Sequence, residues 1–180
     1  MPWLKSGWTT NLESPLTAVA AGADALCLVF YEKSPRKIDP ETAGKIAAKL
    51  PAGIDKVGVF VDESVERILL TVAQAGLTAA KLHGDQYREP EFIQQLKSAR
   101  DLKLFLVVPA DKIRSLDWRK SRGLGVSTLL FDSGTPKLPG GTGKAFAWRA
   151  AAPKMEGSGK AGKVSVAGGV TPPKLPQVSG

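Results

Sequence analysis

"ALCLVFY" (residues 25–31) and "KVGVFV" (residues 56–61) are two continuous apolar runs, separated by a stretch with helical character. Short apolar runs without alternation are typical of strands buried on both faces. Between them, Asp39 can cap a helix that has Pro40 at its first position. The helix has one apolar stripe at helical spacing, formed by Ala43, Ile46, Ala47 and Leu50. These residues therefore predict a strand–helix–strand unit.

The same alternation continues on both sides of this unit. Further strands are predicted at residues 78–84, 102–108, 127–132 and 163–169. A helix is predicted from Ser64 to Gly76, and its buried side is expected to consist of Ile68, Leu69 and Val72. Two more helices are predicted at residues 14–22, beginning at Ser14-Pro15, and at residues 89–96.

Repeated strand–helix units predict an α/β fold with parallel strands joined by crossovers. Two architectures fit this pattern, an open doubly wound sheet and a closed (β/α)8 barrel. The chain has 180 residues, which predicts one domain over residues 1–180. No GxGxxG fingerprint follows the first strands, so the sequence offers no dinucleotide site. In either architecture, ligands are expected at the carboxyl ends of the strands.

The amino-acid composition and the net charge limit the classes of protein to which this chain can belong. Apolar residues make up 43 % and charged residues 23 %, as in soluble globular proteins, and we expect neither a membrane span nor a signal peptide. The single cysteine, Cys27, excludes an internal disulfide and fits a reducing cytoplasm. The net charge is +8, and residues 134–180 contain seven Lys or Arg against one Glu. This basic end is compatible with solvated charge, attraction of a small anion, or nucleic-acid binding.

Three strand ends carry candidate chemistry. Asp132 ends one predicted strand and precedes a long Gly/Pro loop. The "GGTGKA" part of that loop is not a P-loop, because Leu138 replaces its first Gly and Ala145 its Ser or Thr. Gly168-Gly169 follow another strand and can approach a phosphate with their backbone N–H groups. Arg36, on the loop after residues 25–31, can bind a carboxylate in bidentate fashion.

Together, the segments "GADAL", "VFYEKSPRKI", "KVGVFVDES", "KLHGD", "FDSGTPKLPGGTGKAFAW" and "AGGVTP" resemble phosphoribosylanthranilate isomerases, in the order and near the spacing of that family. The resemblance implies a (β/α)8 barrel that catalyses an Amadori rearrangement of an anionic phosphosugar, without cofactor or metal. Asp132 matches the general acid, and Arg36 matches the arginine that holds the anthranilate carboxylate. His83 matches a histidine at the fourth strand's end, where it either lines the pocket or has a structural role. The implied substrate-binding residues further include Gly141, Gly143, Gly168, Gly169, Ser179 and Gly180.

The first-strand motif departs from the family. The resemblance implies a general base in a Lys-x-Cys-Gly motif, and this chain reads "KSGW" from Lys5 onward. Alignment without a gap puts Gly7 at the cysteine position and Trp8 at the glycine position. A shift of one residue puts Ser6 there instead. Cys27, inside the second strand, is expected to be a small apolar filler rather than a replacement base.

The second departure is at the C-terminal end, where Pro172, Pro173 and Pro176 leave little room for a helix. We therefore expect a barrel that is incomplete at its last strand–helix unit. The resemblance predicts a cytoplasmic isomerase of tryptophan biosynthesis, monomeric or homodimeric, with weak or absent turnover, and with neither nucleic acid nor a membrane as a partner. The alternatives are a non-catalytic phosphosugar-binding relative and, less in keeping with "KSPR" and "PGGTGK", a relative of indole-glycerol-phosphate synthase.

Overall fold

The computed structural model describes residues 5–6, 19, 22–109, 112, 125–132 and 163–167. The chain divides into two compact units, Met1–Leu104 and Phe105–Gly180. Each unit is an arrangement of parallel strands, and the first also contains the described helices. The single domain over residues 1–180 stays a prediction.

The first unit contains four parallel strands that pair in chain order. These are β1 (Lys5–Ser6), β2 (Ala25–Val29), β3 (Asp55–Val61) and β4 (Ala79–His83). Its helices are α1 (Pro40–Ala47), α2 (Val65–Ala75) and α3 (Pro90–Ala99), and a single 3₁₀ turn spans Gln86–Arg88. The 3₁₀ turn was not predicted from the sequence. None of the helices in the described ranges is long and apolar enough to cross a bilayer.

The second unit continues the parallel pattern. Strand β5 (Lys103–Pro109) begins in the first unit, and its residues from Phe105 onward pair with β6 (Thr128–Asp132). Strand β6 in turn pairs with β7 (Lys163–Ala167). All six strands predicted from apolar runs are therefore confirmed, with ends that differ by at most two residues.

The helix caps that the sequence predicts are present. Asp39 Oδ1 accepts a hydrogen bond of 2.8 Å from the Thr42 N–H, and this bond holds the pKa of Asp39 below its ordinary value. Ser64 Oγ accepts from the Arg67 N–H at 3.2 Å, and Gly76 ends α2 in the left-handed conformation. The predicted helix at residues 14–22 falls mostly outside the described residues.

The buried stripes of α1 and α2 follow the predicted spacing, with one difference. Ala43, Ile46, Ala47 and Leu50 are all buried. In α2, Ile68 and Val72 are buried, but Leu69 is only half-buried. The buried side of α2 runs through Ile68, Thr71, Val72 and Ala75. Leu69 lies about 100° around the helix from Ile68, at the margin of this stripe.

The strands of the first unit have two distinct faces. Phe30 and Phe60 stack with ring centroids 5.4 Å apart, and both line a small cavity together with Pro40 of α1 and Thr71 of α2. They therefore mark the helix-facing side. Side chains alternate along a strand, so the intervening residues form the opposite, inner face. By strand register this inner face comprises Ala25, Cys27, Val29, Val57, Val59, Val61, Ala79, Lys81 and His83.

The amino ends of β3 and β5 are joined by an ion pair. Lys103 Nζ lies 2.7 Å from Asp55 Oδ1 and 2.9 Å from Asp55 Oδ2. The Thr78 hydroxyl donates to the same carboxylate at 3.3 Å and accepts from the Lys56 N–H at 2.9 Å. This cluster lies at the amino ends of the strands, opposite to the carboxyl ends at which ligands are expected.

Gly58 in β3 has no room for a side chain. A Cβ there would lie 2.6 Å from Leu77 Cδ1 and 2.7 Å from a carbon of the Phe60 ring. Both neighbours are buried, and the Phe60 ring is held by its stack on Phe30. We therefore expect Gly58→Ala to lower the free energy of unfolding by about 1–3 kcal/mol, measured by urea titration. Leu77→Ala should recover part of this loss in the double variant, and strictly additive losses would contradict the packing argument.

Candidate functional site

A hydrogen-bonded loop carries Arg36 after the carboxyl end of β2. The Ser34 N–H donates to the Tyr31 carbonyl at 3.0 Å, and the Lys37 N–H donates to the Ser34 carbonyl at 3.1 Å. The Ile38 N–H donates to the Val29 carbonyl at 2.9 Å, and buried Ile38 anchors the loop at the end of β2. The Arg36 side chain is exposed on this loop, while its N–H donates to Ser34 Oγ at 3.2 Å. A guanidinium in this position is accessible to an anionic ligand.

His83 is the last residue of β4, at the same end of the sheet as the Arg36 loop. Its side chain is buried, and its carbonyl accepts a hydrogen bond of 3.2 Å from the Asp62 N–H just after β3. Gly84 follows with φ +155°, and a Cβ at this residue would overlap the Asp62 carboxylate. Asp62 itself has φ +52°, which is uncommon outside glycine. The carboxyl ends of β3 and β4 are thus in close contact.

Tyr87 connects the segment after β4 to the segment after β3 through hydrogen bonds. Its hydroxyl accepts a hydrogen bond of 2.6 Å from the Glu63 N–H and lies 3.3 Å from the Glu63 carbonyl. Gln86 Nε2 donates to the same carbonyl at 3.0 Å. The ring of Tyr87 is buried edge-on against Phe92, with centroids 4.9 Å apart. Burial raises the pKa of Tyr87 to about 12, so the hydroxyl keeps its proton over the ordinary pH range.

Asp132 ends β6 in the second unit. In register, it pairs with Pro109 at the end of β5 and with Ala167 at the end of β7. The structure thus places Asp132 at the carboxyl end of its strand, as the sequence predicts. Ser6 is the last residue of β1, level with Leu26 in β2. The remaining predicted site residues lie outside the described residues, namely Gly7, Gly141, Gly143, Gly168, Gly169, Ser179 and Gly180.

Lys81 is a buried residue of β4 that sequence reasoning did not single out as functional. Its side chain is only 1 % exposed, and it shares the inner face with His83, two residues further along the strand. The signal was present in the sequence, since Lys81 is the one charged residue in the apolar stretch "TAAKL". Cys27, on the inner face of β2, is also buried, as expected of an apolar filler. Within the described ranges, no group of three or more His, Cys, Asp or Glu residues could hold a metal ion.

The sequence matches one family model over residues 7–179, described as "N-(5'phosphoribosyl)anthranilate (PRA) isomerase". A curated relative, the N-(5'-phosphoribosyl)anthranilate isomerase of Geobacter metallireducens, is 41 % identical over 166 residues. The alignment covers 92 % of this chain and 76 % of the relative. The match therefore extends over most of both proteins.

Solved structures give the same result. The crystal structure of phosphoribosyl anthranilate isomerase from Thermotoga maritima superimposes with a TM-score of 0.81 at 31 % identity, covering 99 % of this chain and 82 % of that one. A phosphoribosyl anthranilate isomerase in complex with reduced 1-(o-carboxyphenylamino)-1-deoxyribulose 5-phosphate gives a TM-score of 0.78 at 29 % identity, covering 99 % and 81 %. This likeness confirms the predicted α/β barrel class. Seven strands lie in the described ranges.

Proposed function

The chain belongs to the N-(5′-phosphoribosyl)anthranilate isomerase family, and on that premise we propose that it binds and isomerises phosphoribosylanthranilate in tryptophan biosynthesis, at a rate reduced by the loss of the cysteine base. One observation carries the proposal. Inside the range matched by the family, Arg36, His83 and Asp132 each end or follow the carboxyl end of a parallel strand. Barrel enzymes bind substrates and place catalytic groups at these strand ends.

The first chemical step is opening of the ribosyl ring. The carboxyl group of Asp132 gives a proton to the ring oxygen, and the bond between this oxygen and the anomeric carbon breaks. The lone pair of the anthranilate nitrogen then forms a double bond to that carbon, which yields a protonated Schiff base. A correctly placed acid of suitable pKa accelerates such a step about 10²–10⁴-fold.

The second step needs a base. A proton leaves the sugar carbon next to the Schiff base, and the electrons of that C–H bond form a carbon–carbon double bond while the nitrogen recovers its lone pair. The resulting enolamine becomes the ketose when the former anomeric carbon takes up a proton and the hydroxyl on the neighbouring carbon loses its own. Gly7 has no group that can accept a proton, and the hydroxyl of Ser6 is a poor base without assistance. The second step is therefore the slow one in this chain.

Substrate binding uses groups on other strand ends. Arg36 binds the anthranilate carboxylate, since a guanidinium and a carboxylate can form two parallel charge-assisted hydrogen bonds. The phosphate is bound by backbone N–H groups of Gly168 and Gly169, together with Ser179 and Gly180. Gly141 and Gly143 provide close backbone approach to the substrate, and His83 contributes to the pocket wall. Cofactor and metal are not required by either step.

A second candidate function is binding of the phosphosugar without turnover. The replacement of the family's Cys-Gly pair by Gly7-Trp8 favours it, because the change removes the base and adds a large side chain. Both candidates share the binding residues and differ only in catalysis. In both cases we propose a cytoplasmic protein, monomeric or homodimeric, whose partner is an anionic phosphosugar rather than a nucleic acid or a membrane.

Two measurements test the proposal together. Calorimetry with reduced 1-(o-carboxyphenylamino)-1-deoxyribulose 5-phosphate reports binding, and the fluorescence decay of freshly generated phosphoribosylanthranilate reports turnover. Binding with turnover supports the isomerase. Binding without turnover, at protein concentrations that would reveal a slow rate, supports the binding protein. The absence of binding would overturn both.

Arg36→Met should weaken binding of the reduced analogue about 10–100-fold, because it removes a charge-assisted contact to the carboxylate. Calorimetry checks this against Lys33→Met, which removes the same charge from another exposed residue of the same loop. Ribulose 5-phosphate lacks the anthranilate carboxylate, so its affinity should be the same for Arg36→Met as for the parent. Equal losses in the Arg36 and Lys33 variants would indicate general charge attraction instead of a specific contact.

A further inference from the structure

Lys81 is a charged residue in a place where stability alone does not favour charge. It lies in the middle of β4 and is 1 % exposed. Its partner in register is Val59, and the inner face around it carries Val57, Val61 and Ala79. Removing an ammonium group from water is costly even when the charge has a partner, so a buried charge is weak evidence for a role in stability. This cost is the first observation that favours a functional role for Lys81.

Lys81 lies close to the ligand end of β4, on the inner face of the strand. The strand ends at His83, and a rise of about 3.3 Å per residue puts the Cα atom of Lys81 about 7 Å before that end. An extended lysine side chain spans a comparable distance. Lys81 and His83 point to the same side, because side chains two residues apart in a strand share a face. Lys81 also takes part in a polar or electrostatic interaction, so its charge is accommodated in the fold.

We propose that Lys81 is a binding residue for the phosphosugar, with its ammonium group donating to oxygen atoms of the ribose phosphate part of the ligand. This inference rests on the proposed function and adds a residue to the same site. Arg36 is exposed on a loop beyond β2, whereas Lys81 is buried inside a strand. The Arg36 and Lys81 side chains thus lie at different depths. We therefore assign the anthranilate carboxylate to Arg36 and the sugar oxygens to Lys81.

The test compares Lys81→Met with the parent for two ligands, the reduced product analogue and ribulose 5-phosphate, by calorimetry. We expect the dissociation constant of both to rise about tenfold or more, because a charged hydrogen bond is lost. Arg36→Met, in contrast, should weaken only the analogue. Lys56→Met is the matched control, since it removes the same charge from the neighbouring strand at its amino end; its affinities should equal those of the parent.

Thermal unfolding of the same variants separates a binding role from a structural one. A binding role predicts that ligand raises the unfolding temperature of Lys81→Met less than it raises that of the parent. Lys81→Gln, which keeps a donor without the charge, should show an intermediate affinity. If both variants unfold at a lower temperature and ligand stabilises them as much as it stabilises the parent, Lys81 is structural and the inference is overturned.

The remaining outcomes are also decisive. Unchanged affinity of Lys81→Met for both ligands would overturn the inference and leave the proposed function standing. A loss for the analogue alone would overturn the assignment of Lys81 to the sugar oxygens. Failure of the parent to bind either ligand would overturn the proposed function, and the inference with it.

Discussion

The double variant Gly7→Cys, Trp8→Gly should isomerise phosphoribosylanthranilate about 10²–10⁴-fold faster than the parent chain. The two substitutions restore the Lys-x-Cys-Gly motif that the family resemblance implies. A cysteine thiolate can accept the proton that leaves the sugar carbon, whereas Gly7 offers no acceptor at all. The rate is measured from the decay of substrate fluorescence at saturating substrate, with purified parent and variant side by side.

Two control variants separate the effect of the thiolate base on the rate from the effect of removing the Trp8 side chain. Gly7→Ser, Trp8→Gly has nearly the same side-chain size and lacks the thiolate, so its rate should stay near that of the parent. Trp8→Gly alone tests whether the indole ring obstructs the substrate. A serine variant as fast as the cysteine variant would contradict a role for a thiolate base. A parent chain that already turns over at the rate of the cysteine variant would show that Ser6, His83 or water supplies the base.

Asp132→Asn, placed in the cysteine-restored variant, should lower kcat about 10²–10⁴-fold and leave the affinity for the reduced analogue unchanged. Asparagine has the shape of aspartate but cannot give a proton to the ring oxygen. The loss should therefore fall on the chemical step and not on binding. Fluorescence decay gives kcat, and calorimetry with the reduced analogue gives the affinity.

The control for this second prediction is Asp101→Asn, which makes the same change at an exposed carboxylate just before β5. It should leave both kcat and affinity unaltered. A full-speed Asp132→Asn variant would remove Asp132 from the mechanism and would oppose the assignment of the whole site. A variant that loses affinity together with kcat would indicate that Asp132 contacts the ligand already in the ground state.

Local sequence signals predicted the helix caps, the helix end and the strands well, because each of these features depends on residues close together in the chain. Asp39 and Ser64 cap their helices because their side-chain oxygens reach N–H groups three residues ahead. Gly76 ends α2 because it adopts a positive φ at little cost. The apolar runs predicted the strands because parallel strands are buried on both faces. These interactions act over a few residues, so the local sequence contains all that is needed.

The same reasoning failed where an interaction joins distant parts of the chain. The 3₁₀ turn Gln86–Arg88 was missed, because the Tyr87 hydroxyl and the Gln86 side-chain amide form hydrogen bonds with Glu63, more than twenty residues away. Leu69 was expected in the core because periodicity cannot decide how wide the covered stripe of a helix is. The predicted roles of Arg36 and Asp132 came from motif resemblance, and the structure adds their places at strand ends.

The strand–helix order, the helix caps and the family of the chain can thus be predicted from the sequence alone, because each depends on short patterns or on motifs in a set order. Which residues become crowded or buried depends instead on how the strands and helices pack. Gly58 tolerates no Cβ because Leu77 folds onto it, and Tyr87 fastens the segment after β3 through Glu63. Lys81 lies out of water on the inner face of β4. These properties arise from contacts between residues far apart in the chain, and such contacts exist only once the strands have paired.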